Sequence, residues 1–587
     1  MVKEGYILDY ISGNEVKATP EEIEAVQVFS KQLVEDYGYP KEHIQTRPQF
    51  RVKARPSDTK KEYPVDIAVF SNNQKQEDDV CIIIECKQKN RKDGESQLQD
   101  YLRFSKAFLG VWFNGDERLF IRKIEKDGRT EFKNILNIPK YGQRLEDIGK
   151  FKRNDLEPTH NLKATFKAIR NYLAANTVGA TRDEILAQQL INLIFCKIYD
   201  EKFTEPEEIV TFRAGINENP LKVKERILDL FEKVKRKYKD VLDESDNITL
   251  DEDSITYVVG ELQNYCLIEA ERDVISDAFE TFIGHALKGG QGQFFTPRNV
   301  IKMMVDILEP SEDDLIIDPA CGSGGFLIES LRHVWRRLDA EGEKYHWSKN
   351  NLQEEKMEFA LNNIRGIDKD YFLSKVAKAY MAIVGDGKSG IFCEDSLKNP
   401  KDWNPKTQQK IHFEGFDLLM TNPPFGSKIP VKGKEKLKQF KLGHKWKRDR
   451  KTGNWDIGKI KDKEAPQILF IERSFELLKN GGRMAIVLPD GIYGNDKLGY
   501  IRKFLMDNGK ILAVIDVPVE TFQPNTSTKT TILIYQKIKK VGKDYRVFMA
   551  VADTCGHDRR GNPTGSDDIS KVAEEYHKWR KKNNVTY

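Results

Sequence analysis

Short apolar runs bounded by polar turns dominate the first part of the chain. Positions 65–70, 80–86 and 108–113 read as strands, because β-branched and aromatic residues cluster there between turn formers. Asn114-Gly115 is a turn signal, and 119–122 reads as the strand returning from it. From about 158 to 285 the texture changes. Positions 162–173, 182–199, 221–242 and 270–287 carry apolar residues at three- and four-residue spacing, the mark of amphipathic helices. From about 288 to 540, apolar strands at 315–317, 364–367, 416–421, 484–488, 511–517 and 530–535 alternate with helical stretches. That alternation predicts a parallel or mixed sheet covered by helices. A further strand is expected at 545–551 and a helix near 569–582. The pattern divides the chain into four expected parts: α/β at 1–150, all-α at 151–285, α/β with a parallel or mixed sheet at 286–555, and a polar tail at 556–587 suited to partner contact.

Composition changes this picture little. Lys+Arg number 96 against 92 Asp+Glu, a net charge of +4 on 587 residues. That balance argues against a wholly disordered chain, and any basic surface must be local. One local excess stands out. Residues 428–451 are crowded with Lys and Arg, opposed only by Glu435 and Asp449, with Trp446 and Trp455 interleaved. Such a loop suits contact with phosphates. No run of about 18 apolar residues exists, so no membrane span is expected. Met1-Val2-Lys3-Glu4-Gly5 lacks the apolar stretch of a signal peptide. The seven cysteines are scattered without a metal-binding pair, which fits a reducing cytoplasm.

Two constellations carry chemistry. After the strand at 315–317 come Asp318, Pro319, Ala320, Cys321, Gly322, Ser323, Gly324 and Gly325, then a helical pattern. A strand, a glycine-rich turn and a helix bring backbone close to a ligand. The strict GxGxxG and the phosphate loop GxxxxGK[ST] are both absent. Asp368 ends the next strand, where an acidic residue can bind ribose hydroxyls. Asp395 and Ser396 follow the third strand, suited to an adenine edge, and the fourth runs into Asn422-Pro423-Pro424-Phe425.

This order, preceded by Gln293, Phe294, Phe295, Thr296 and Pro297, resembles the amino-methyltransferases that act on adenine N6 in DNA. More closely, it resembles the modification subunits of type I restriction systems, over about residues 155–540. The resemblance implies a Rossmann-like fold for residues 286–555, in which Gln293–Pro297 and the glycine-rich loop touch S-adenosylmethionine. The exocyclic amine is a poor nucleophile because its lone pair is delocalised. The Asn422 side-chain oxygen and the Pro423 carbonyl can accept both N6 hydrogens and free that pair. The prolines stiffen the loop, and Phe425 can stack on an extruded base. Enzymes acting on protein glutamine or RNA share NPP[YF], but their chains are usually shorter. Cytosine N4 enzymes more often carry Ser or Asp at the position of Asn422.

The second constellation is Asp66 with Glu85-Cys86-Lys87. On a strand Glu85 and Lys87 share a face, and two converging carboxylates make an oxygen site for Mg²⁺. Gln97 and Tyr101 follow on an expected helix. The stretch resembles the N-terminal PD-(D/E)xK nuclease domain of type I restriction subunits. The resemblance implies Asp66, Glu85 and Cys86 as metal ligands, and Lys87 and Gln97 as catalytic neighbours. It departs from many such domains where an early acidic residue is expected, offering Gln49, with Glu35 as a substitute. Together the two resemblances imply a bifunctional restriction–modification subunit that methylates adenine and cuts unmodified double-stranded DNA without ATP. The alternatives are a methyltransferase whose nuclease-like domain only binds DNA, and a binding module for which the methyl donor is an allosteric ligand. Sequence recognition is expected on a separate specificity subunit in a hetero-oligomer, because the polar tail is too short to scaffold it.

Overall fold

The computed structural model describes the chain apart from residues 1–2, 4, 54–61, 90, 116, 127–128, 158–161, 178–182, 240–241, 243, 269–295, 386–389, 427–428, 450, 524–525, 541, 543–544 and 586–587. It divides into two compact units, residues 1–238 with 244–286, and residues 287–587 with 239–243.

In the first unit six strands form one sheet: β1 (Ile44–Gln45), β2 (Ile67–Phe70), β3 (Val80–Cys86), β4 (Leu109–Phe113), β5 (Arg118–Lys126) and β6 (Arg129–Ile135). They lie in the order β6-β5-β4-β3-β2-β1. Only β3 and β4 are parallel, joined by helix α2 (Glu95–Arg103), while α1 (Gln27–Glu35) covers the other face. Ile82, Ile84 and Cys86 pack with Phe29 and Leu33 of α1. Ile83, Ala68 and Phe70 pack with Leu98 and Leu102 of α2. Both faces are covered, so these strands are continuous apolar runs instead of alternating ones.

Four helices follow: α3 (Leu162–Asn176), α4 (Asp183–Phe203), α5 (Pro220–Lys237) and α6 (Glu252–Leu262). Asn219 caps α5 by accepting the Leu221 N–H at 3.0 Å, with Pro220 in the first turn. The sequence pattern ran α5 on to 242 and missed α6, whose residues are buried on nearly every side and carry no clear stripe. The helix expected at 270–287 lies outside the described residues. A buried ion pair between Arg118 of β5 and Glu261 of α6 ties sheet to helices.

The second unit holds an eight-stranded sheet. Its strands are β7 (Ile316–Asp318), β8 (Ile364–Asp368), β9 (Ile391–Cys393), β10 (Phe416–Thr421), β13 (Leu478–Pro489), β14 (Gly509–Asp516), β15 (Thr530–Lys537) and β16 (Phe548–Val551). Between β10 and β13, β11 (His444–Arg448) and β12 (Trp455–Ile460) form a separate antiparallel ribbon. The sheet order is β9-β8-β7-β10-β13-β15-β14-β16. The five strands from β9 to β13 run parallel, and β15 runs antiparallel to both neighbours. Helices α7 (Arg298–Leu308), α8 (Gly325–Tyr345), α9 (Lys349–Asn362), α10 (Tyr371–Gly385), α11 (Pro466–Leu477) and α12 (Gly499–Asn508) accompany it. Strand order reverses between β7 and β10, which opens a crevice at the carboxyl ends of the strands.

The segment read as a polar tail is folded. Cys555–His557 pairs with Pro563–Asp567, and α13 (Ile569–Lys582) packs on α7. His577 Nε2 donates to the Asp306 carbonyl at 2.8 Å, and Tyr576 and Trp579 enclose Phe548 of β16. Ile569, Val572, Ala573 and Tyr576 are therefore buried within the unit. Among the described residues no helix is long and apolar enough to cross a membrane.

Candidate active site

The crevice is lined by the ends of four adjacent strands. Asp318 ends β7, 1 % exposed, and its Oδ1 accepts the Ala320 N–H at 3.0 Å. Burial pushes this carboxyl up to about 7, opposed by the Thr421 hydroxyl and the Ala320 N–H and reinforced by Asp368. The chain then turns through Gly322 and Gly324, at φ +52° and +91°, into α8. An added Cβ at Gly322 would meet nothing within 4 Å, so backbone conformation demands glycine there and the space beside it is open. Ser323 and Gly325 complete the turn, whose N–H groups lie at the positive end of a 21-residue helix.

Asp368 closes β8 and shapes this loop. Its two oxygens accept the Gly322 and Asp370 N–H groups, each at 2.9 Å, and burial raises its pKa. Asp395 accepts the Leu397 N–H at 2.9 Å and forms an ion pair with Lys436, a partner the sequence did not single out. Ser396 Oγ donates to the Pro319 carbonyl, tying the third strand's loop to the first.

At the end of β10, Asn422 Nδ2 donates to Thr296 Oγ1 at 3.0 Å. Its Oδ1 is buried and has no hydrogen-bond partner among the described residues. A buried acceptor without a donor is costly, which marks it as awaiting one from outside the chain. Pro423 is buried, Pro424 half-buried, and Phe425 is 5 % exposed. Thr296 and Pro297 lead into α7, while Gln293, Phe294 and Phe295 lie outside the described residues.

In the first unit, Ile67 stands opposite Ile84 in the ladder, which brings Asp66 beside Glu85. Asp66 Oδ2 accepts the Cys86 N–H at 2.8 Å, and Gln49 approaches its Oδ1 at 3.4 Å. Glu85 forms a buried ion pair with Lys87, and its Oε2 has no hydrogen-bond partner among the described residues. Burial pushes Asp66 up to about 6 and Glu85 to about 7, the latter also through the charge of Asp66. Gln97 donates to the Tyr101 hydroxyl at 2.6 Å. Burial raises that phenol to about 12, reinforced by the charges of Glu85 and Asp66, so the pair borders the two acids.

Two expectations need correction here. Cys86 turns its thiol into the core under α1, so its sulfur is no metal ligand. Glu35 accepts the Tyr10 hydroxyl at the surface instead of joining the site. An acid that the sequence reading did not single out, Glu21, adds its charge to the field on Asp66, Glu85 and Lys87. Among the described residues no group of three or more His, Cys, Asp or Glu is placed to hold a metal ion. Lys87 engages one oxygen of Glu85 and the Cys86 N–H one oxygen of Asp66, which leaves Glu85 Oε2 and, beyond the 3.4 Å approach of Gln49, Asp66 Oδ1 as the two oxygens that could meet the expected Mg²⁺.

A family profile described as N-6 DNA Methylase matches residues 270–587, more than half of the chain. A second, described as Type I restriction enzyme R protein N terminus, matches residues 20–139. The Type I restriction enzyme EcoEI methylase subunit of Escherichia coli is 27% identical over 271 residues, 46% of this chain and 47% of that one. The MjaVIII methylase subunit of Methanocaldococcus jannaschii is 24% identical over 409 residues, 65% of this chain and 60% of that one. The chain spans about half the length of the curated relatives it matches. A solved chain from a type I R-M system superposes with a TM-score of 0.51 at 16% identity, over 73% of this chain and 85% of that one, a likeness of fold.

Proposed function

The chain belongs to the N-6 DNA methylase family, and from that premise we propose that it transfers the methyl group of S-adenosylmethionine to adenine N6 in double-stranded DNA. We further propose that it works as the methylase subunit of a restriction–modification hetero-oligomer, with a separate specificity subunit choosing the site. The observation that carries the reading is the orphaned Oδ1 of Asn422. Thr296 holds the amide end of that side chain, so the oxygen is the atom offered to an incoming amine. Accepting one N6 hydrogen there, and the other at the Pro423 carbonyl, draws the nitrogen lone pair out of ring conjugation. S-adenosylmethionine, when bound, supplies an electrophilic methyl on a sulfonium. The open turn at Gly322–Gly325 offers backbone N–H groups for such a ligand, Asp368 and Asp395 offer acceptors, and Asp318 braces the turn. Attack can precede proton loss, so no specially tuned base is needed.

With the specificity subunit present, Asn422→Ala should lower methyl incorporation by on the order of 10²-fold or more, as for loss of one transition-state hydrogen bond. Donor binding measured by calorimetry should persist. Digestion of the product should yield N6-methyladenine; methylcytosine alone would overturn the assignment.

For the first unit, the reading that fits best is a nuclease-like fold that binds DNA or a partner without cutting. The second reading, a subunit that also cleaves, is favoured by the convergence of Asp66, Glu85, Lys87 and the Gln97–Tyr101 pair. Incubating the assembled complex with unmodified target DNA and Mg²⁺ separates the two. Cutting that disappears in Asp66→Ala establishes the second; intact DNA establishes the first.

A further inference from the structure

The ribbon of β11 and β12 belongs to an insertion between the Asn422 loop and α11. Val431–Lys432 pairs with Lys463–Glu464, so the insertion closes on its own start. Its base is anchored. Leu437 and Phe440 are buried with Leu397, Leu469 and Phe470, and Glu472 of α11 accepts the Lys441 and Leu442 N–H groups at 2.8 and 2.7 Å. Trp446 stacks on Tyr500 of α12 at 5.6 Å, and Trp455 meets the same ring edge-on at 5.8 Å. Lys461 donates to the Tyr500 hydroxyl at 3.0 Å. The two tryptophans are thus the footing of the ribbon, not surfaces open for base stacking.

The outward positions are a different chemistry. With Trp446 turned inward, Lys445 and Lys447 alternate to the exposed side of β11. Lys451 at the turn and Lys459 on β12 are also exposed. None of these four lysines joins an ion pair among the described residues, whereas Lys436, Lys438 and Lys461 at the base all do. Residues 444–460 contain six Lys or Arg and two Asp, and six minus two is a net +4, equal to the net charge of the whole chain. Like charges held this close on a rigid scaffold repel one another, and an anionic partner relieves that cost.

We propose that this ribbon is a DNA-backbone arm: Lys445, Lys447, Lys451 and Lys459 contact phosphates of the duplex while Trp446 and Trp455 hold the arm on Tyr500. The inference rests on DNA being the substrate. A two-stranded ribbon has the dimensions to lie in or along a major groove, and exposed lysines give backbone contact without sequence readout. An acidic face of a protein partner is the other candidate occupant, and the experiment separates it.

The test is a triple variant of the full chain, Lys445→Gln, Lys447→Gln and Lys451→Gln. Its control replaces Lys503, Lys571 and Lys578, each held in an ion pair. Binding to a short duplex is titrated over a range of salt. Each lost phosphate contact lowers the slope of log affinity against log salt by about 0.9, so the triple variant should lose roughly 2 to 3 from the slope and the control much less. Methyl incorporation at saturating DNA should stay near wild type, which keeps this outcome distinct from failure of the methylase assignment. An unchanged slope overturns the proposal. So does an unchanged slope with lost co-purification of the specificity subunit, which would assign the ribbon to a protein partner.

Discussion

Asp66 shows what a single buried carboxylate costs. Its pKa of about 6 lies above the value of about 3.9 for an unfolded aspartate. The folded state therefore binds more protons than the unfolded one between those values, and stability falls as pH rises through that window. Below the unfolded pKa the effect vanishes; above about 6 it is fully present. Asp66→Asn keeps an acceptor for the Cys86 N–H and removes the charge beside Glu85. It should raise the melting temperature at pH 8 and make little difference near pH 4; a variant that melts lower at pH 8 would show that the charge stabilises. Asp66, Glu85 and Lys87 were legible because strand alternation and a strand end are local properties. Glu21 was not, because it sits in Glu21-Glu22-x-Glu24 and nothing local says which of these charges bears on the site. Asn422 was readable as a motif, but its hold by Thr296 spans 126 residues and had no local sign.

At the scale of elements, the glycine-rich turn works because β8 and α8 approach closely under it. A Cβ at Gly366 would lie 2.6 Å from Leu327 Cδ1, 2.8 Å from Ile391 Cδ1 and 3.1 Å from Cys321 Sγ. Gly366→Ala should destabilise the unit by about 1–3 kcal/mol, as overpacking does. Urea unfolding measures that loss, and donor affinity should fall with it because the Cys321 N–H bonds the Ile367 carbonyl. Unchanged stability would mean that α8 yields freely. Most strands were legible because each is a short apolar run with turn formers on both sides. The ribbon was legible only as a charged loop. Its two tryptophans stood in the sequence only as aromatic residues interleaved with lysines, because their shared partner, Tyr500, is brought beside them by the fold. Segment 556–587 read as a free tail because α13 is mostly polar, and only its four buried residues reveal the contact with α7.

For the whole molecule, the expectation is a division of labour. Expressed with a specificity subunit, the chain should methylate one defined sequence. Alone it should bind DNA weakly, with steep salt dependence and no sequence preference. Full-rate methylation of a single sequence by the isolated chain would overturn that division. The contact of α13 with α7 also has a bearing on how the protein is made. His577 and Asp306 meet across 271 residues of chain, whereas β2, β3 and β4 pair with near neighbours in sequence. Chain emerging from the ribosome can assemble the first sheet early, but α7 waits with one apolar flank unpartnered until α13 has been synthesised. Long-range closure of this kind is slow, and an exposed apolar flank invites misassembly in the interval. Yield of the folded second unit should therefore depend on translation speed and chaperone supply far more than yield of the folded first unit does.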